Sequence, residues 1–170
     1  MRDAIDLERL YDSHAQALFA YLLNFTRNEQ DTRDALQEVF VKLAKNPRAL
    51  QDTKDERAFL VRLCRNAAID LMRRRSARNR NEERFGNEQL TIFARSNDPD
   101  EEAFRTQLTQ ALGTLPEDQR EVVHLKLWEG LTFEQIAALL EIPANTAASR
   151  YRYGIDKLRG LLRPLYEEIK

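Results

Sequence analysis

From Leu7 to Phe25, apolar or partly apolar side chains recur every three or four residues: Leu7, Leu10, Tyr11, His14, Leu18, Tyr21, Leu22 and Phe25. That spacing collects them on one face of a helix. The polar stretch from Asn28 to Asp31 interrupts the pattern. Asp31 is placed to cap a second helix, and Asp34 lies near that helix's positive end. Ala35, Leu36, Val39, Phe40 and Leu43 form its inward face. Asn46-Pro47 ends it, because the residue before a proline is pushed out of the helical region. After a polar loop at 48–55, Glu56 opens a long helix that reaches about Ser76. Phe59, Leu60, Leu63, Ala67 and Leu71 make its buried stripe, and Arg62, Asn66, Asp70 and Arg73 line the other side.

Between Ala77 and Glu102 the periodicity collapses. The run ARNRNEERFGNEQ is polar, Leu90, Ile92 and Phe93 form an apolar island, and Ser96-Asn97-Asp98-Pro99 is a cluster of helix breakers. The stretch reads as a linker whose island docks transiently. Helical periodicity resumes near 101–112, 117–128, 133–140 and 144–165. Pro116 fits the first turn of the second of these helices and Gly130 its C-terminal stop. Thr132 followed by Gln135 is a capping-box pattern for the third. Glu141-Ile142-Pro143 is so short a connection that the helices it joins must meet steeply. The expected architecture is all-α, with two small helical domains at 1–76 and 103–170 joined by a linker at 77–102, the second a four-helix domain containing a helix-turn-helix.

Composition narrows this further. With 42% hydrophobic residues, five Gly and five Pro, the chain is rich in helix formers, and no convincing alternation or Asn-Gly turn signals strands. The lone Cys64 cannot form an intramolecular disulfide and argues against a cysteine-based zinc site. Apolar runs are too short for a membrane span, and the acidic start MRDAIDLERL lacks a signal-peptide core, so a cytoplasmic setting is expected. His14 and His124 lie at helical positions beside apolar residues and read as structural. With no catalytic triad order, metal-ligand spacing or phosphate loop, the chain is expected to be no enzyme and to carry no cofactor or metal. Asp98, Asp100, Glu101 and Glu102 read as a solvated linker.

Net charge is −1, so it is the distribution of charge that carries information. In the last helix, Arg150, Arg152, Lys157, Arg159 and Arg163 face a single acid, Asp156. A short helix, a tight turn and this basic helix have the layout of a helix-turn-helix, in which the second helix presents its N-terminal residues to base edges in the major groove. Asn145, Thr146 and Ser149 can donate and accept there, Ala147 and Ala148 permit close approach, and Arg150 and Arg152 can fork onto guanine or phosphate. An ordinary helical hairpin with a solvated basic face has the same pattern. Between Arg57 and Arg84 nine Arg stand against Asp70, Glu82 and Glu83, and Arg73-Arg74-Arg75 closes the helix. Part of that cluster complements the helix dipole. Asn66 between Arg62 and Arg73 suits unpaired DNA bases beside a phosphate backbone, although few aromatics share the face for stacking. Asp34, Gln37, Glu38 and Lys42 form a polar patch beside Val39 and Phe40.

Three blocks, DALQEVFVKL at 34–43, AFLVRLCRNAAIDLMRRR at 58–75 and LPEDQREVVHLKLWEGLTFEQIAALLEIPANTAASR at 115–150, resemble in order and spacing an extracytoplasmic-function sigma factor. The resemblance implies an alternative sigma factor that binds bacterial RNA polymerase core, through the clamp coiled coil and the flap, and directs transcription from particular promoters. It implies a core-binding surface at Asp34, Gln37, Glu38 and Phe40, with Phe40 open to a purely internal role. It implies minus-ten recognition and melting by Arg62, Asn66, Asp70, Arg73 and Arg74. For the minus-thirty-five element it implies Asn145, Thr146, Ser149, Arg150 and Arg152, with Arg120 near phosphate. An anti-sigma protein is the further expected partner. Val61 stands where the family often has tyrosine, Asn145 where it usually has glycine, Ala148 where it has a basic residue, and Glu141 in place of the turn glycine. The rival class is a stand-alone helix-turn-helix regulator that dimerises on a palindrome.

Overall fold

The computed structural model describes residues 5–78, 92–93 and 96–168, apart from the side chains of residues 165, 166 and 168. Every regular element among them is helical. The chain divides into two compact units, Met1–Glu88 and Gln89–Lys170.

The first unit is a bundle of α1 (Leu7–Thr26), α2 (Glu29–Lys45) and α3 (Glu56–Arg78), each packed on the other two. Asp6 caps α1 by accepting a hydrogen bond from the Arg9 amide at 3.0 Å, and Arg27 ends it in the left-handed region at φ 54°. The cap of α2 is Asn28, whose side chain accepts from the Asp31 amide at 2.9 Å, so the expected cap at Asp31 is corrected. Asp31 instead sits buried inside the first turn and pairs with Arg75 of α3. Leu10, Leu18, Tyr21, Leu22, Ala35, Val39, Leu43 and Leu60 fill the core.

The buried stripe of α3 is rotated from the one its large residues predict. Leu60 and Ala67 are buried as expected, but Val61, Cys64 and Ala68 join them, while Phe59, Leu63 and Leu71 lie half-buried at the edges. Two helices pack against α3 at once, and small side chains in the middle of its stripe permit that approach. The helix also runs to Arg78 rather than stopping about Ser76.

The second unit holds α4 (Pro99–Thr114), α5 (Glu117–Leu127), α6 (Phe133–Leu140) and α7 (Ala144–Glu168). Asp98 caps α4 with Pro99 in its first turn, so the helix starts earlier than the sequence pattern indicated. Pro116 is the N-cap of α5 itself, one position before the first turn. Gly130 turns the chain at φ 65°, beyond the end of α5, and Thr132 with Gln135 makes the complete capping box of α6. Within α6, Ile136 and Ala137 are buried as expected, Leu139 joins them, and Phe133 and Leu140 are half-buried. Three helices, α4, α5 and α6, pack on α7. At Gly154 a β-carbon would stand 2.6 Å from Val123 Cγ2, so only glycine lets α5 and α7 lie this close.

Of the apolar island, Ile92 is buried and the Phe93 ring lies 5.4 Å from that of Trp128 within the second unit. Leu90 and the basic run beyond Arg78 lie outside the described residues. His14 bonds to Glu56 Oε1 at 2.7 Å, and His124 is buried against Trp128, so both histidines serve helix packing.

Candidate nucleic-acid and partner interfaces

On α2, Asp34 accepts a hydrogen bond from Gln30 Nε2 at 2.9 Å, and Gln37 is exposed one turn on. Glu38 is held from two sides, by Lys42 Nζ at 2.9 Å and Arg74 Nη2 at 3.2 Å. The hydrogen bond from Lys42 is the main cause that keeps the Glu38 carboxyl below its usual range; partial burial opposes it, and the charges of Lys42 and Arg74 reinforce it. Phe40 is half-buried, edge-on to Tyr11 with ring centroids 5.1 Å apart. Its ring forms part of a shallow surface depression with Leu7, Glu8, Tyr11 and Asp12, and Val41 is exposed nearby on the same helix. Phe40 is therefore not purely internal. This face combines accessible apolar rings with acids, which suits a partner with an apolar and basic surface.

On α3, Arg62, Asn66, Asp70 and Arg73 are all exposed. Their spacing of four, four and three residues aligns them along one side of the helix. Arg74 departs from this group. It reaches back to Glu38 and donates through Nε to the Asp70 carbonyl at 3.3 Å, so it braces α3 against α2. Val61 is completely buried, so the position of the family's tyrosine is a core position in this chain.

At the start of α7, Asn145 and Arg152 are exposed and Ser149 is half-buried between them on the same side. Ala147 is buried against the unit's core, which turns this polar side outward. Thr146 and Arg150 are half-buried at its margin. Arg152 lies 5.5 Å over the Tyr153 ring, and Arg150 Nε meets Asp118 Oδ2 of α5 at 3.2 Å. Arg120 corrects an expectation. It is buried in α5 and donates to the Leu115 carbonyl at 3.2 Å; burial depresses its pKa, against the charges of Glu117 and Glu121. In this conformation it does not present itself to phosphate.

The structure thus groups four of the five α3 candidates, and Asn145, Ser149 and Arg152 of α7. What sequence reasoning missed is Asp118 altogether, and the pairings by which acids hold cations: Asp31 with Arg75, Glu38 with Arg74 and Asp118 with Arg150. Each pair joins distant positions, so no local spacing reveals it.

Residues 10–78 match Sigma-70 region 2, and residues 105–158 match Sigma-70, region 4. The ECF RNA polymerase sigma factor SigL of Mycobacterium tuberculosis is 32% identical over 167 residues, covering 96% of this chain and 92% of that protein. The chain belongs to the extracytoplasmic-function sigma factors. The RNA polymerase sigma factor CarQ of Myxococcus xanthus is 30% identical, over 95% of this chain and 92% of its own length. Among solved structures, sigma factor RpoE of Bartonella quintana, in complex with the anti-sigma factor NepR, shares the fold at TM-score 0.76 and 22% identity. That match covers 93% of this chain and 97% of that one. CnrH, in complex with the cytosolic domain of CnrY, matches at TM-score 0.58 and 26% identity over 93% of this chain and 88% of that one. This sigma factor is a transcription-initiation factor that binds RNA polymerase core and directs promoter-specific transcription. Among the described residues, no helix is long and apolar enough to cross a membrane, and no His/Cys/Asp/Glu group could hold a metal ion.

Proposed function

We propose that this sigma factor divides promoter reading between its two units. Residues 1–76 bind core polymerase through Asp34, Gln37, Glu38 and Phe40 and capture the minus-ten element as it melts, through Arg62, Asn66, Asp70 and Arg73. Residues 103–170 read the minus-thirty-five element through Asn145, Thr146, Ser149, Arg150 and Arg152, and 77–102 link the two. Arg74 acts as a brace between the polymerase-facing and DNA-facing helices. The observation that carries the reading is the open row of Arg62, Asn66, Asp70 and Arg73 on a helix whose opposite side is core.

Each DNA-binding face is small, so either unit alone binds weakly. Polymerase holds the two at a fixed separation, and the second contact becomes effectively intramolecular. The sigma factor itself catalyses nothing and works in the cytoplasm; nucleotide polymerisation belongs to the polymerase. An anti-sigma protein that covers the α2 face regulates it, a reading supported by the complex of one structural relative, RpoE, with the anti-sigma factor NepR.

The test is reconstitution with core polymerase on promoter templates. Asn66→Ala should slow strand opening, read by permanganate reactivity, with polymerase binding retained. Arg150→Ala should lower use of the upstream element with opening intact. Wild-type opening kinetics in Asn66→Ala and in Arg62→Ala would refute the assignment of α3.

A further inference from the structure

Asp118 lies in the first turn of α5, outside the polar side of α7, yet both of its carboxylate oxygens are engaged. Oδ1 accepts from the Gln119 amide at 2.9 Å, and Oδ2 faces Arg150 Nε at 3.2 Å. The carboxylate is therefore oriented by its own backbone before it meets the guanidinium. The seat of the two helices is equally fixed. Gly154, one turn beyond Arg150, is where α5 closes on α7; a β-carbon there would lie 3.5 Å from the Gln119 carbonyl and 2.6 Å from Val123 Cγ2. This close approach sets Asp118 beside Arg150.

The pair is partly exposed, with side-chain accessibilities of 30% for Arg150 and 49% for Asp118. Ion pairs this open add little to stability. Their effect on geometry is larger. A free arginine side chain surrenders much rotamer freedom when it forks onto a base, whereas one already held surrenders less. Nε is one of five guanidinium donors, so this contact leaves capacity for a bidentate contact to guanine or phosphate. A fixed anion at the margin also repels a misplaced phosphate backbone, which raises selectivity at the expense of bulk affinity.

We infer that Asp118 is a positioning residue for upstream-element recognition, holding Arg150 in its reading geometry and disfavouring non-specific DNA. The inference rests on the proposal that the start of α7 reads that element.

Holoenzyme carrying Asp118→Ala, Asp118→Asn, Asp118→Glu or Arg150→Ala is compared on templates with matched and substituted upstream elements. Binding of each free chain to non-promoter duplex is measured in parallel. Asp118→Ala and the isosteric Asp118→Asn should cut discrimination between the templates about fivefold or more, within the range set by one bidentate contact. Non-promoter affinity should hold or rise, and Asp118→Glu should recover part of the discrimination. If Arg150→Ala loses discrimination while both Asp118 variants keep it, the positioning role is overturned and the reading of α7 stands. If Arg150→Ala keeps discrimination, the reading of α7 by Arg150 falls, and the inference with it. Equal losses on matched, substituted and non-promoter DNA, with a lowered melting temperature, would make Asp118 merely structural and also overturn it.

Discussion

Glu141 adopts φ 56° at the end of α6, in a region that costs a residue with a β-carbon about 1–2 kcal/mol. Its amide still closes the helix onto the Ala137 carbonyl, and its side chain is exposed, so nothing in the packing requires glutamate. Glu141→Gly should therefore stabilise the protein by about 1 kcal/mol, less what glycine loses in unfolded-state entropy, read as a raised urea midpoint at unchanged m-value. The sequence showed glutamate in a turn position where glycine is usual, and the backbone explains why that departure matters. Arg120 was less legible. Arg120 through Leu125 are buried without interruption, two charged residues and a histidine among them, so helical periodicity could not tell which side of α5 faces inward. Asp118 was invisible for another reason. An acid in a first helical turn already has a sufficient explanation in the helix dipole, and its partner is a distant residue.

At the level of helices, the first unit is braced by carboxylates that each reach two cationic or imidazole groups. Glu38 joins Lys42 of its own helix to Arg74 of α3, and Glu56 joins α3 to Arg9 and His14 of α1. Burial pushes Glu56 upward, but its hydrogen bonds from His14 and Arg9 outweigh this, so its carboxyl, like that of Glu38, titrates below the ordinary value. A folded pKa below the unfolded one means that the unfolded chain takes up more protons in the interval, so acid favours unfolding. This stabilisation is complete above about pH 4.3, the ordinary glutamate value, and is lost as pH falls through the lower folded values. Melting temperature should fall across that window. Glu56→Gln should flatten the fall by lacking this stabilisation at neutral pH, where its melting temperature should lie below that of the wild type, the two converging in acid. The helices themselves were largely legible, because capping chemistry and long periodic runs are local: α1, α6 and the start of α7 lie where the pattern put them. The facing of α3 was not, since a helix wedged between two others selects small residues for its centre, and size does not register in a hydrophobic pattern.

Across the molecule, net charge is −1, and several cations on the DNA-facing helices are already held by acids. Among the described residues of the reading surfaces few remain to displace counterions: Arg62 and Arg73 on α3, and Arg152 on α7, are the exposed ones. Duplex binding by the free sigma factor should accordingly lose affinity with salt at a log–log slope of about −2 to −4, near one unit per phosphate neutralised. A slope near −8, measured by fluorescence anisotropy on promoter duplex, would mean that many more cations engage than these faces offer. The two-domain organisation was readable because a break in periodicity separates two helical blocks; which acids tether which arginines required the fold.

The packing of Phe93 on Trp128 has a practical consequence, because Trp128 is the sole tryptophan of the chain. Indole emission depends on how dry its surroundings are, and one of its neighbours here is the segment that leads into α4. Loss of that neighbour would let water reach the ring and red-shift its light. This sigma factor thus carries a native optical sensor for the seating of its own connector, usable during assembly on a tryptophan-free template or inhibitor without attaching any dye.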